Sequence, residues 1–119
     1  MFLTLNHQKL ILYGLSKTFV VECYKLTNEL PIAEKFGMIS QIRRGALSVH
    51  LNIAEGASRK SLAERKRYYE IARGSLIEID AALDIASSLD YLKNQYVTKT
   101  GDVMVQCFKI LTTMIQSAK

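Results

Sequence analysis

The sequence predicts an all-α protein, an antiparallel up-down-up-down four-helix bundle that forms a single domain over residues 1–119. Apolar residues recur every three or four positions through four segments, and no segment alternates as a strand does. The connections between the segments are short, which favours antiparallel packing of consecutive amphipathic helices. With 49% hydrophobic and 23% charged residues, the composition is that of a compact folded chain.

Helices one and two are predicted over about residues 10–28 and 32–55. Leu15, Phe19, Cys23 and Leu26 form the apolar stripe of helix one. Pro31 ends that helix, because proline cannot continue the hydrogen-bond ladder, and it suits the first turn of helix two. Gly56 is the expected C-cap of helix two.

Helices three and four are predicted over about residues 62–91 and 99–118. Ser61 and Glu64 have the spacing of a capping box, which places the start of helix three at Leu62. Gly74 weakens this helix, and its presence suggests close approach by a neighbouring backbone. Residues 94–98 form the next connection.

Helix two has two different faces. Its core stripe consists of Ile39, Ile42, Ala46, Val49 and Ile53. At 100° per residue, a polar ribbon falls on the opposite side, made of Gln41, Arg44, Ser48, Asn52 and Glu55. These amide, guanidinium, hydroxyl and carboxylate groups can bond to one another or to a partner. The ribbon is therefore either a mixed solvated face or a subunit interface or recognition surface.

Helix three continues this pattern. Its core stripe consists of Leu62, Tyr69, Ala72, Leu76, Ile79, Leu83 and Ala86. A second flank is too apolar for free exposure and includes Arg67, Ile71, Gly74, Glu78, Ile85 and Leu89. Such a wide apolar circumference needs a partner to cover it, and self-association is the simplest one. Lys66, Glu70 and Arg73 are expected to pair as a solvated ion network.

Basic charge is concentrated in the middle of the chain. The net charge is +5, and residues 34–73 alone carry nine Lys/Arg against four acids. The candidate nucleic-acid-binding residues are Arg43, Arg44, Arg59, Lys60, Arg65, Lys66, Arg67 and Arg73. Such clusters favour an anionic partner, because Lys and Arg contact phosphates. The alternative is that the basic turn is only solvated.

The sequence does not predict an enzyme. A di-iron bundle needs Glu-x-x-His pairs, and neither His7 nor His50 has a glutamate three residues before it. Phosphate-loop, Ser/His/Asp and metal motifs are missing, so no cofactor and no metal are expected. Cys23 and Cys107 lie in apolar stretches and are expected to be buried free thiols. Without a membrane span or a signal peptide, the expected location is cytoplasmic.

The strings SQIRRGALSVHLNIAEGASRKS and GSLIEIDAALDIA resemble the bacterial 23S rRNA intervening-sequence protein family. The matching residues are Tyr24 to Thr27, Pro31, Gln41, Arg44, Ser48, Asn52 to Gly56, Gly74, Ser75 and Glu78. His50 departs from this pattern, since the family usually has proline there. The resemblance implies a four-helix bundle that assembles as a homo-oligomeric ring, a pentamer, without established enzymatic activity. Related bundles bind nucleic acid.

These observations predict a non-enzymatic, homo-oligomeric bundle that binds RNA or DNA through its basic surface. The alternative is a protein–protein interaction adaptor that uses the ribbon and the second flank of helix three. Neither the cognate nucleic acid nor the biological process follows from the sequence.

Overall fold

The computed structural model describes residues 1–117, apart from the side chains of Asn6, Lys9 and Asn94. The helices of this part are α1 (Ile11–Thr27), α2 (Met38–Ala57), α3 (Leu62–Ser88) and α4 (Asn94–Ser117). Short 3₁₀ turns, Asn6–Lys9 and Ile32–Glu34, precede α1 and α2. Residues 1–117 contain no strand, and the all-α prediction is confirmed. None of these helices is long and apolar enough to cross a membrane.

The start of α2 differs from the prediction. Pro31 leads into the 3₁₀ turn and not directly into α2. Gly37, at φ −106° and ψ −106°, is not helical and separates the 3₁₀ turn from α2, which begins at Met38. The Glu34 carboxylate then accepts a hydrogen bond from the Met38 backbone N–H at 3.2 Å, which satisfies one of the free donors at the helix start.

The bounds of α3 and α4 also differ from the prediction. The helix α3 ends at Ser88, before the predicted position 91, and α4 already begins at Asn94, so residues 94–98 are helical. The predicted last residue of helix four, Ala118, lies outside the described residues. Ser61 accepts a hydrogen bond from the Glu64 backbone N–H at 3.1 Å, which is the first of the two bonds of a capping box and confirms Ser61 as the N-cap.

Contacts at the two ends define how the helices run. Consecutive helices contact each other, and α4 also contacts α1. At the end that we call the upper end, Leu10, Ala57, Leu62 and Met114 line one cleft, which brings together the start of α1, the α2–α3 turn and the final part of α4. At the lower end, the Lys93 ammonium lies 3.7 Å from the Glu29 carboxylate, and the α1–α2 and α3–α4 connections meet. Antiparallel packing of consecutive helices requires these contacts between their ends.

All four helices contribute to one core. Its most buried large side chains are Leu12, Phe19, Ile42, Val49, Ile53, Leu76, Ile79 and Leu111. The predicted stripes of α1 and α2 supply much of this core, with Leu15 and Ile39 packed at its edge. Leu62 is an exception, because it is the first residue of α3 and remains half-exposed.

Two glycines allow α2 to approach α3 closely. A Cβ atom at Gly45 would lie 2.9 Å from the Ile79 Cγ1 atom, and one at Gly56 would lie 2.8 Å from the Tyr69 ring. Gly56 is therefore required for packing, and its predicted role as a C-cap is wrong. The helix continues to Ala57 and ends at Ser58 in a right-handed conformation, where no glycine is needed.

Replacement of Gly56 by alanine should lower the free energy of unfolding by about 1–2 kcal/mol, because the overpacking against the Tyr69 ring exceeds the gain in helix propensity. Gly14→Ala is the matched control, since nothing lies within 4 Å of its added Cβ. The control should stabilise the protein by up to about 1 kcal/mol. Urea unfolding followed by circular dichroism measures both, and equal effects would contradict the close-packing role of Gly56.

Candidate nucleic-acid interface

The charged side chains are divided unequally between the two ends of the bundle. The upper half comprises residues 11–19, 48–74 and 106–117, and the lower half residues 20–47 and 75–105. The upper half contains eight cations, Lys17, Arg59, Lys60, Arg65, Lys66, Arg67, Arg73 and Lys109, and three acids, Glu55, Glu64 and Glu70. The lower half contains six cations and eight acids. The fold therefore creates a basic upper end.

This division corrects the grouping suggested by the linear sequence. Arg43 and Arg44 belong to the middle of the chain, yet they lie in the lower half of α2. At about 1.5 Å per residue, Arg44 is about 20 Å from the upper end of its helix. Conversely, Lys17 and Lys109 join the upper half from α1 and α4. The eight predicted residues therefore do not form one patch.

Arg43 connects α1 to α2. Its guanidinium donates hydrogen bonds to the Thr27 Oγ1 atom at 2.8 Å and to the Asn28 Oδ1 atom at 2.9 Å. It also lies over the Tyr24 ring, 4.7 Å from the centroid. These bonds use the Nε and Nη2 donors of the guanidinium, so Arg43 has a structural role.

Two arginines organise the α2–α3 turn. The Arg59 guanidinium lies 3.0 Å from the Glu55 carboxylate and donates to the Tyr68 hydroxyl at 3.1 Å. Arg65 donates from Nε to the Arg59 carbonyl at 2.6 Å. Glu55 therefore pairs along its own helix and turn.

The remaining cations of the upper end differ in exposure. Lys60 and Arg67 are exposed, whereas Lys66 and Arg73 are half-buried. Arg73 donates to the Thr112 hydroxyl of α4 at 3.3 Å. Within the described residues, Lys66, Glu70 and Arg73 form no ion pair, so the predicted network is wrong. Lys60 and Arg67 are consequently the cations of the turn and of α3 that are best placed to meet a ligand, and Lys17 and Lys109 are exposed on α1 and α4.

The polar ribbon of α2 lies beside α3 and not opposite the core. The Ser48 and Ser75 hydroxyl oxygens are 2.9 Å apart across the two helices. The Asn52 amide donates to the Ser48 carbonyl at 2.8 Å and lies 3.1 Å from the Ser48 hydroxyl. The polar groups in the middle of the ribbon thus form hydrogen bonds within the chain, because Gly45 brings α2 close enough to α3 for these contacts.

The outer part of the ribbon continues onto α3. On α2, Gln41, Arg44 and Glu55 are exposed. On α3 and its C-cap, the exposed residues of the predicted flank are Arg67, Ile71, Glu78, Ile85 and Leu89. We call this combined surface the α2–α3 face. Gly74 lies on it, and a Cβ atom added to this glycine would have nothing within 4 Å, so no other part of the chain approaches this glycine closely.

His50 packs between α1 and α2. Its Nδ1 atom lies 2.7 Å from the Ser16 hydroxyl, and its ring lies 4.5 Å from the Tyr13 ring. The Ser16 hydroxyl also donates to the Tyr13 carbonyl at 3.0 Å. Burial, followed by Lys17 and His7, lowers the pKa of His50. Because Ser16 is fully buried, this pair is not an accessible nucleophile and base.

The cysteines and a buried carboxylate belong to the core. Cys23 and Cys107 are free and buried, as predicted, and burial raises the pKa of Cys23 to about 12 and that of Cys107 to about 11. The buried Glu22 carboxylate lies 2.8 Å from the Lys99 ammonium of α4, a contact that the sequence pattern did not indicate. Among the residues whose side chains are described, no group of His, Cys, Asp and Glu could hold a metal ion.

Comparison with known proteins gives a family and a fold. The family model described as 23S rRNA-intervening sequence protein matches residues 8–113. A crystal structure from Bacteroides thetaiotaomicron, of a protein of unknown function from the S23 ribosomal protein family, superposes with a TM-score of 0.80. It is 24% identical and covers 88% of this chain and 98% of its own. A search of curated proteins found no match.

Arg43→Ala should lower the free energy of unfolding by about 1–3 kcal/mol, because the hydrogen bonds of a charged donor to Thr27 and Asn28 are lost. The neighbouring change, Arg44→Ala, removes the same side chain from an exposed position and should stay within about 0.5 kcal/mol of the parent. Chemical denaturation measures both variants. An equal effect of the two would refute the structural role of Arg43.

Proposed function

This chain belongs to the 23S rRNA-intervening sequence protein family, and we propose that it is a non-enzymatic, cytoplasmic, homo-oligomeric protein that binds RNA or DNA through the upper end of its bundle. The supporting observation is the charge distribution: the upper half carries eight cations and three acids. The family supplies the fold, and the proposed binding activity rests on the residues of this chain.

The exposed cations of the upper end suit a phosphate backbone. Lys60 lies in the α2–α3 turn and Arg67 in the second turn of α3, and both side chains are exposed. Arg59 and Arg65 hold the turn through the contacts to Glu55, Tyr68 and the Arg59 carbonyl. A rigid turn presents its cations without a large ordering cost on binding. Phosphate contacts of this kind are insensitive to base sequence and weaken with salt.

The lower half disfavours the same ligand. Its eight acids exceed its six cations, and Arg43 is engaged with α1. A polyanion is therefore attracted to one end of the bundle and repelled by the other, which would orient the protein on its ligand. The sequence grouping placed Arg43 and Arg44 in the binding surface, and the proposal replaces them with Lys17 and Lys109.

We propose that copies of the chain contact each other through the α2–α3 face. Ile71 and Ile85 are exposed there at 41% and 54%, between the charged residues Arg44, Glu55 and Glu78. Assembly would multiply the basic end, and repeated weak contacts to one nucleic acid then act together. The number of subunits, five by resemblance, stays a prediction.

The proposal is tested by titrating structured ribosomal RNA and duplex DNA across a salt series. We expect Lys60→Glu with Arg67→Glu to weaken binding and to reduce the slope of log affinity against log salt by about 1.8 on duplex DNA, because each lost phosphate contact contributes about 0.9. The matched control is Lys35→Glu with Lys93→Glu, which makes the same change of charge at two exposed positions of the lower half that lie outside the α2–α3 face. The control should retain most of the affinity.

Three outcomes would contradict the proposal. One is the absence of binding at low salt. Another is an equal loss of affinity in the upper-end variant and its control, which would indicate that binding depends on the net charge and not on a site at the upper end. The third is binding that survives high salt and depends on Ile85, which would indicate that the α2–α3 face docks another protein.

A further inference from the structure

The cleft at the upper end of the bundle, which we call the upper-end cleft, combines basic and apolar side chains. Its volume is about 400 Å³, which lies in the size range of small-ligand sites. Arg65 and Tyr69 of α3 line it, together with the apolar side chains of Leu10, Leu62 and Met114. Among the described residues that line the cleft, none is acidic. The cleft therefore suits a ligand that is partly anionic and partly apolar.

The guanidinium of Arg65 is held in place through one of its nitrogens. Its Nε donates to the Arg59 carbonyl at 2.6 Å. Within residues 1–117, Arg65 pairs with no carboxylate and its two Nη groups have no acceptor, although they are not closed off from solvent. Such a planar fork matches the oxygens of a carboxylate or a phosphate. Because the Nε contact already orders the side chain, little conformational freedom is lost when an anion binds.

Tyr69 supplies a further donor to the upper-end cleft. Its ring packs against Gly56 and is 5% exposed. Its hydroxyl makes no hydrogen bond within the described residues and is not closed off from solvent. Burial raises the pKa of Tyr69, and the nearby Arg65 guanidinium offsets this rise only in part. The hydroxyl therefore keeps its proton near neutral pH and can donate to an anion beside Arg65.

The donors of this cleft match a phosphate monoester. The guanidinium fork and the phenol direct N–H and O–H groups to one place, and a monoester offers three acceptor oxygens with a charge of about −1.5 to −2 near neutral pH. A phosphodiester within a strand has fewer free oxygens and a smaller charge. A strand end can also enter a concave cleft, whereas the backbone of a continuous duplex passes over its rim. A terminal phosphate is therefore the better match.

The opposite side of the upper-end cleft suits the sugar of the same nucleotide. The Thr113 and Ser117 hydroxyls line it from α4, and they donate to the Lys109 and Thr113 carbonyls at 3.1 and 2.9 Å. Their lone pairs remain available to accept from a sugar hydroxyl. Leu62, exposed at 51%, provides an apolar surface between the two sides.

We propose that the upper-end cleft binds the terminal phosphate of a nucleic-acid strand, with Arg65 and Tyr69 as the phosphate-binding residues. This inference rests on the proposed function and adds recognition of a strand end to the backbone contacts of Lys60 and Arg67. Lys60 lies in the turn between Ala57 and Leu62, which both line the cleft. One strand can therefore contact the exposed cation and place its end in the cleft.

End recognition is tested with an RNA hairpin that has a fluorophore in its loop and short single-stranded ends. The hairpin is prepared with a 5′-phosphate, with a 3′-phosphate or with hydroxyl ends only, and fluorescence anisotropy gives the affinity of each. We expect at least one phosphorylated hairpin to bind at least about tenfold more tightly than the hydroxyl-ended hairpin, because charge-assisted hydrogen bonds are gained. The arm that shows the preference identifies the end of the strand.

Two variants without a change of charge separate the cleft from general attraction. Tyr69→Phe keeps the ring that packs against Gly56 and removes only the hydroxyl, and it should reduce the ratio of the two affinities at least about threefold. Arg65→Lys removes the fork and should bring the ratio close to one. Tyr24→Phe is the matched control, since it removes a hydroxyl from the lower half and should leave the ratio as it is in the parent.

A titration with a nucleotide examines the cleft without a strand. Adenosine 5′-monophosphate should shift the nuclear magnetic resonance signal of the Arg65 Nε–H, and adenosine at the same concentration should not. Equal affinities of the parent for phosphate and hydroxyl ends, or a preference that survives in both Tyr69→Phe and Arg65→Lys, would overturn end recognition while the proposed function stands. Failure of every hairpin to bind at low salt would instead contradict the proposed function itself, and the inference with it.

Discussion

Gly45 and Gly56 bring the backbone of α2 close to Ile79 and Tyr69 of α3, and the two helices pack against each other at that distance. The Ser48 and Ser75 hydroxyls meet at 2.9 Å only because no β-carbon holds the helices apart at Gly45. This close antiparallel pair fixes the direction of α3 relative to α2. The α2–α3 turn, with its arginines, must then lie at one end of the bundle.

The position of α3 also determines which surfaces remain uncovered. One side of the helix packs on α2 and the core, and α4 contacts the other side less closely. Exposed isoleucines consequently remain on two flanks, Ile71 and Ile85 beside α2 and Ile77 beside α4. A small bundle has too few helices to cover so broad an apolar helix.

The distribution of charged residues between the two ends of the bundle depends on the same arrangement of helices. Because neighbouring helices reverse direction, segments distant in sequence share an end, and the acids of the second half of α3 lie beside the start of α2. Lys17 and Lys109 thereby join the arginines of the turn, while Arg43 is drawn into a contact with α1. The resulting polarity underlies the nucleic-acid proposal, since a polyanion is attracted to the positive end and repelled by the negative end.

The sequence alone was enough for the helical class, the core stripe of α2, the cap at Ser61 and the buried free cysteines. These features depend on local spacing and on hydrophobic periodicity, which can be identified from neighbouring residues alone. The family resemblance rested on the same local strings, and it is confirmed over residues 8–113. Local patterns were less reliable near Pro31 and Gly56. Pro31 can begin an α-helix or a 3₁₀ turn, and Gly56 can end a helix or allow a neighbouring helix to pack closely. Tertiary packing selects between these alternatives.

Only the tertiary structure decided which polar residues serve the fold and which remain exposed. Arg43 and Arg44 are indistinguishable as adjacent arginines, yet one bonds to Thr27 and Asn28 and the other is exposed. Ser48 was assigned to an outward ribbon because helical spacing gives an angle about one axis and carries no information on the neighbouring helix. Pairing across helices depends on the distance and rotation between two helices, and these are set by the packing of the whole bundle.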